Sequence, residues 1–151
     1  MNYPIFHETA NDQNLIDEFY SGLSNKYPEL KPSIKDNEGL LHIDMGDFRE
    51  VAESLCKKRK FKEIEDCFNW VNSLFCRSQS KLLNAFNVSF LEYFDYTGLS
   101  EEEFESIMPS ELYRGYNEMI EYMNNLAKEY NKNQINGVTN QWGQTRLIIH
   151  N

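Results

Sequence analysis

The chain has 151 residues, 40% of them hydrophobic and 14% aromatic, and a formal net charge of -9. Such a composition suits one domain with its own core, and it excludes a disordered segment or a small disulfide-stapled scaffold. A surface of that sign repels nucleic acid and anionic membrane and attracts basic partners.

No apolar run reaches the roughly 18 residues of a membrane-crossing helix. The opening "MNYPIFHETANDQN" has no basic region followed by an apolar core, so a cytoplasmic protein is expected. Cys56, Cys67 and Cys76 are odd in number and read as free thiols, buried or half-buried.

The first element is a helix capped by Asn11 and closed by Pro28. Leu15, Ile16, Phe19, Tyr20, Leu23 and Tyr27 recur there at the three-and-four spacing of one face. "ELKPSIKDNEGLLHID" reads as a loop, with two prolines near its start and Gly39 near its end. Asp44 is then placed to cap a helix whose buried face is Met45, Phe48, Val51, Ala52 and Leu55. Phe61 to Phe75 is the next helix, with Phe61, Ile64, Cys67, Phe68, Val71, Leu74 and Phe75 on one stripe. The basic run "KKRKFK", Lys57 to Lys62, falls where one helix ends and the next begins, and cations suit a helix C-terminus.

"KLLNAFNVSFLEYF" follows, started by Ser78 or Ser80. Its apolar positions go nearly all the way round, which predicts a central helix covered on several sides. Gly98 breaks it. Ser100 and Glu103 fit the capping box S-x-x-E, with Leu99 and Phe104 in reach of a hydrophobic staple. Pro109 ends that short helix, and the last one runs through Leu112, Tyr116, Met119, Ile120, Met123 and Leu126. The tail from 131 to 151 leaves two readings open. "GVTNQW" and "TRLIIH" form a short β-hairpin, or the tail is an extension docked through Trp142 and Ile148. The whole predicts an all-α, single-domain bundle of five to six helices over 1–151. Its core spans 11–130, and in outline it is similar to a helical repeat.

Charge is unevenly spread. From Glu92 to Ala127 nine acids face a single base, Arg114, for a net of -8. Capping and the helix dipole account for two or three carboxylates, at about 0.5–1 kcal/mol each. They do not account for so few bases over more than thirty residues. Tyr93, Tyr96, Tyr113 and Tyr116 are interleaved with the acids. Tyrosine gives large contact area at low entropic cost, and acids around it complement a basic partner. The candidate partner-binding residues are therefore Tyr93, Asp95, Tyr96, Glu101, Glu102, Glu103, Glu105 and Glu111.

The residues carry no sign of catalysis. His7, His42 and His150 are scattered, and none sits four residues from another histidine. The cysteines match neither zinc knuckles nor redox pairs, and a cysteine paired with His42 is disfavoured because Cys67 falls on a core stripe. No phosphate-cradling glycine loop is present, and the glutamates match no calcium loop. Neither a cofactor nor a metal ligand set is expected.

"LLHIDMGDFREVAESLCKKRKFKEIEDCFNWVNSLFCRSQSKLLNAFNVSFLEYFDY" resembles a bacterial family of small acidic helical proteins. The resemblance rests on the "LHIDMG" start, the "CFNWVN" aromatics and "VSFLE" on the central helix, and it covers roughly Leu40 to Met108. Members of that sort occur beside polymorphic toxins as immunity proteins, as in contact-dependent growth inhibition. The resemblance implies an immunity protein with a cognate toxin domain as partner, and it carries no catalytic residues. Charge narrows the toxin to a nuclease, because a nuclease needs a basic surface to grip phosphates. The alternative is a helical adaptor or regulator of another basic protein. An enzyme of unrecognised kind is the third reading.

Overall fold

Phe19, Phe48, Phe68, Phe86, Phe90 and Phe104 are all fully buried, and the helices that carry them wrap around one aromatic ladder. Phe48 lies over Phe90 at 5.3 Å between ring centres, Phe90 against Phe94 at 5.3 Å, and Phe94 over Phe104 at 6.0 Å. The computed structural model describes residues 10–142. Their helices are α1 (Ala10–Lys26), α2 (Lys31–Asp36), α3 (Leu41–Lys57), α4 (Phe61–Phe75), α5 (Lys81–Ala85), α6 (Glu101–Ile107) and α7 (Ser110–Trp142). A 3-10 turn, Pro28–Leu30, precedes α2, and α5 continues as a π-helical segment, Phe86–Leu91. No strand occurs among the described residues, and the all-α, single-domain expectation holds.

Seven helices replace the expected five to six because the segment after Pro28 is helical. Pro28 opens the 3-10 turn and Pro32 sits in the first turn of α2. Proline is tolerated there, since the amide it lacks would have no partner. Only Asn37 to Leu40 remain as a connection, with Glu38 and Gly39 both at positive φ.

Asp44 does not cap α3, which already starts at Leu41. Its carboxylate is buried and accepts from the Tyr20 hydroxyl at 2.5 Å and from Asn37 Nδ2 at 2.8 Å. The acid thus ties α1 to α3. A second buried acid, Asp12, accepts from the Lys81 backbone N–H at 3.3 Å and so joins α1 to the start of α5.

The central helix is an α-turn followed by a π-turn. The Glu92 amide donates to Asn87, five residues back, at 3.0 Å. The wider turn brings Phe86, Phe90 and Leu91 all inward. This segment packs against α3 and α7. It is not covered all round, for Val88 is exposed.

Of the two readings of the tail, the hairpin is corrected in its first strand. Residues 137–142 belong to α7, whereas 145–150 lie outside the described residues. Extending a helix adds one hydrogen bond per residue fixed, while a hairpin needs a new nucleus. The stretch 131–142 holds no proline to stop the extension.

Candidate functional site

The acidic stretch is built on the turn between α3 and α4. That turn is a Schellman motif: Lys60 N–H donates to Leu55 O at 3.1 Å and Arg59 N–H to Cys56 O at 3.0 Å. The residue in the left-handed position is Arg59, with φ of 54°, where glycine is usual. Across it runs the loop from Glu92 to Ser100. Gly98, at φ of 106°, crosses so close to the Cys56 carbonyl that any side chain would collide with it. Glycine at this point lets the loop lie on the end of α3.

Arg59 then fastens the loop to α6. One guanidinium nitrogen donates to Gly98 O at 2.7 Å and to Glu103 Oε1 at 3.0 Å, and the other to Glu103 Oε2 at 2.9 Å. Glu103 also closes the capping box, accepting from Ser100 N–H at 3.0 Å while its own N–H donates to Ser100 Oγ at 3.1 Å. The guanidinium and the Ser100 amide hold the Glu103 carboxyl down at about 2. Leu99 and Phe104 are both buried beside the cap, as a staple requires.

The eight residues expected to meet a partner fall into two groups. Tyr93, Glu101, Glu102 and Glu105 are exposed, and these three glutamates make no ion pair with a described residue. Their spacing places them together on the outer side of α6. The other four have internal partners. Asp95 accepts from Thr97 N–H at 2.9 Å and from its hydroxyl, which hold the carboxyl below its ordinary range. Tyr96 is half-buried, its ring stacked on Phe104 at 4.2 Å. Glu103 is clamped by Arg59. Glu111 pairs with Arg114 at 2.6 Å within α7.

The sequence reading missed Arg59 as the cross-chain neutraliser of Glu103. The basic run was visible, but nothing in it marks Arg59 for a partner forty-four positions away. Glu53 was missed as well. It accepts the Asp95 N–H at 2.6 Å and lies 3.5 Å from Arg49. Arg49 in turn donates to Ser89 O at 3.2 Å, and His42 Nδ1 lies 2.7 Å from Ser89 Oγ. These groups form a polar seam where α3 meets the π segment.

Burial pushes the Cys56 thiol up to about 11 and the Cys67 thiol up to about 12, so neither is a thiolate at neutral pH. Cys76 is free and exposed. A groove of about 520 Å³ lies along α3, and its lining includes Glu29, Ser33, Asp47, Glu50, Lys58 and Lys60. Among the described residues no group of three potential metal ligands converges. None of their helices is long and apolar enough to cross a membrane.

No curated protein and no solved structure matches the chain. A family model does match, described as a domain of unknown function (DUF7674), over residues 20–125. The match begins inside α1 and ends inside α7. It therefore takes in the stacked rings of Phe48, Phe90, Phe94 and Phe104, the Arg59 clamp and all nine acids of the acidic stretch, well beyond the Leu40 to Met108 span of the resemblance. It covers more than half of the sequence, and the chain belongs to the DUF7674 family.

Proposed function

We propose that the protein is an immunity protein. It binds a cognate toxin domain in the cytoplasm, a nuclease of a contact-dependent inhibition or related system, and covers that domain's basic surface. It has no catalytic role of its own in this reading. The observation that carries the proposal is the outer side of α6, where Glu101, Glu102 and Glu105 stay exposed without an ion pair among the described residues. Glu103 in the same turn has a structural partner, so shortage of bases alone does not explain the three that lack one. Uncompensated carboxylates repel one another and are stabilised by a basic partner. They also steer it, raising association rates by about 10–10³-fold. Tyr93, exposed in the loop that leads to α6, offers aromatic contact area.

The test is co-expression of this chain with the protein domain encoded immediately upstream of it. Growth rescue together with recovery of a stable complex supports immunity. A harmless neighbour, or toxicity without rescue, removes the immunity reading and leaves a helical adaptor for another basic protein.

A further inference from the structure

Gly39 and Gly98 take positive φ, where glycine is favoured. A side chain on Gly22 would strike the Trp70 ring, and one on Gly115 would strike the Phe75 ring. Gly46, inside α3, has neither reason to be glycine. Its φ is not positive, and a Cβ there would meet no heavy atom of another element within 4 Å. Glycine inside a helix is destabilising relative to alanine, so folding alone does not account for this residue.

Gly46 lies beside the π segment. His42, four residues earlier, places Nδ1 2.7 Å from Ser89 Oγ. Arg49, three residues later, donates to Ser89 O at 3.2 Å. Residues at those spacings share one side of a helix, so Gly46 falls between the two contacts. The missing side chain leaves a notch between His42 and Arg49. Exposed Ile43 borders it on α3, and exposed Val88, next to Ser89, borders it on the π segment.

The rim of this notch is acidic. From Asp36 to Cys56 six acids face one arginine, and from Leu82 to Tyr113 there is no lysine or arginine. Arg49 is held by Ser89 O and by Glu53. Glu50, one turn after Gly46, and Glu92, one turn after Val88, make no ion pair among the described residues. Lys57 comes two turns beyond Glu50. Tyr93 follows Glu92, and the Asp95 N–H donates to Glu53 at 2.6 Å, which ties the loop toward α6 back onto α3.

We infer that the basic partner drawn by the α6 glutamates seats an apolar side chain on Gly46, between Ile43 and Val88. The inference rests on the immunity reading and deepens it. Charges on α6 supply a polar rim, and the notch supplies the apolar centre around which such a rim closes. Glycine there lets the partner approach the α3 backbone. A second copy of this chain fits poorly, because it would bring the same acids against Glu50 and Glu92. The two parts differ in kinetics, since rim charges act on association and buried contacts on dissociation.

The test uses the complex with the domain encoded immediately upstream, followed by stopped flow for association and by chase for dissociation. Gly46→Leu fills the notch with a residue that a helix prefers. It should melt about 2–4 °C above the parent. It should also release the partner domain about 10-fold faster, with association unchanged within about 2-fold. Ile43→Ser should speed release about 5-fold while its circular dichroism spectrum keeps the helical content of the parent. Failure of the parent chain to bind that domain removes the immunity reading, and this inference with it. A parent complex from which Gly46→Leu dissociates no faster overturns the inference alone and leaves the α6 interface standing. So does a Gly46→Leu variant that melts below the parent, for the glycine then serves the fold.

Discussion

Arg59 and Glu103 form a two-pronged ion pair, 2.9 Å at its shorter prong, that joins the basic turn to the acidic helix. The arginine reaches it from a left-handed backbone position that L side chains resist. Two effects therefore oppose each other at one residue. Glycine would relieve the backbone and lose the clamp. Alanine would lose the clamp and keep the strain. Arg59→Gly is accordingly expected to melt higher than Arg59→Ala, by about 2–4 °C for a domain of this size. Lysine keeps the charge without the fork, and Arg59→Lys should fall below the parent. Equal melting of the glycine and alanine variants would show that the turn is not strained.

The same pair sets an acid limit. The Glu103 carboxyl lies at about 2 in the fold, against 4.5 for an ordinary glutamate. A depressed folded value means that the unfolded chain takes up the proton first. The pair's contribution is therefore complete above about 4.5 and fades as the pH falls toward 2. Melting temperatures of the parent and of Glu103→Gln should differ at pH 6 and converge across that window. A constant gap from pH 6 to pH 2 would mean that the carboxylate is not what the clamp depends on. Arg59 is exposed and Glu103 only half-buried, so salt should shrink the gap as well.

Most helices could be read from the sequence because their stripes are local. The face of α3 through Met45, Phe48 and Ala52 and the face of α4 through Ile64, Phe68 and Val71 are buried as their spacing requires. The Ser100–Glu103 capping box was equally legible, since its partners are three residues apart. Asp44 was not. An acid ahead of an apolar face reads as a cap, and only the approach of Tyr20 from α1 makes it a buried acceptor. The π-turn at Phe86–Leu91 was hidden as well. Apolar residues all round a segment suggest full burial, whereas a wider turn brings adjacent Phe90 and Leu91 inward and leaves Val88 out. At the candidate site the acids were visible as a set. What divides them, the long-range reach of Arg59 and the local Arg114 and Thr97 bonds, depends on geometry that spacing does not carry.

Tyr20 and Asp44 offer a stability test away from the charged surface. The hydroxyl donates to a buried carboxylate, and burial together with that acid pushes the tyrosine well above its ordinary range. Tyr20→Phe keeps the ring and removes the donor, which leaves the carboxylate short of a partner. A loss of about 1–3 kcal/mol is expected in urea unfolding. Adding Asp44→Ala should cost less than the sum of the two single changes, because the phenylalanine no longer abandons a charge. Strict additivity would show that the two groups do not act as a unit.

The exposed glutamates separate binding from folding. Glu101, Glu102 and Glu105 contact no base among the described residues, so reversing them to lysine should leave the helical spectrum and the cooperative melt in place. A small drop in melting temperature is expected, because two of the three lie in the first turn of α6, where the dipole favours anions. Glu103→Lys, one residue away, should instead damage folding, since it sets a lysine against Arg59. Association with the upstream-encoded domain, followed by stopped flow over a salt series, is the discriminating measurement. The triple reversal should slow association by about 10-fold or more and flatten its dependence on salt. Unchanged rates would move the interface off α6, and with it the reason for keeping three carboxylates there without partners.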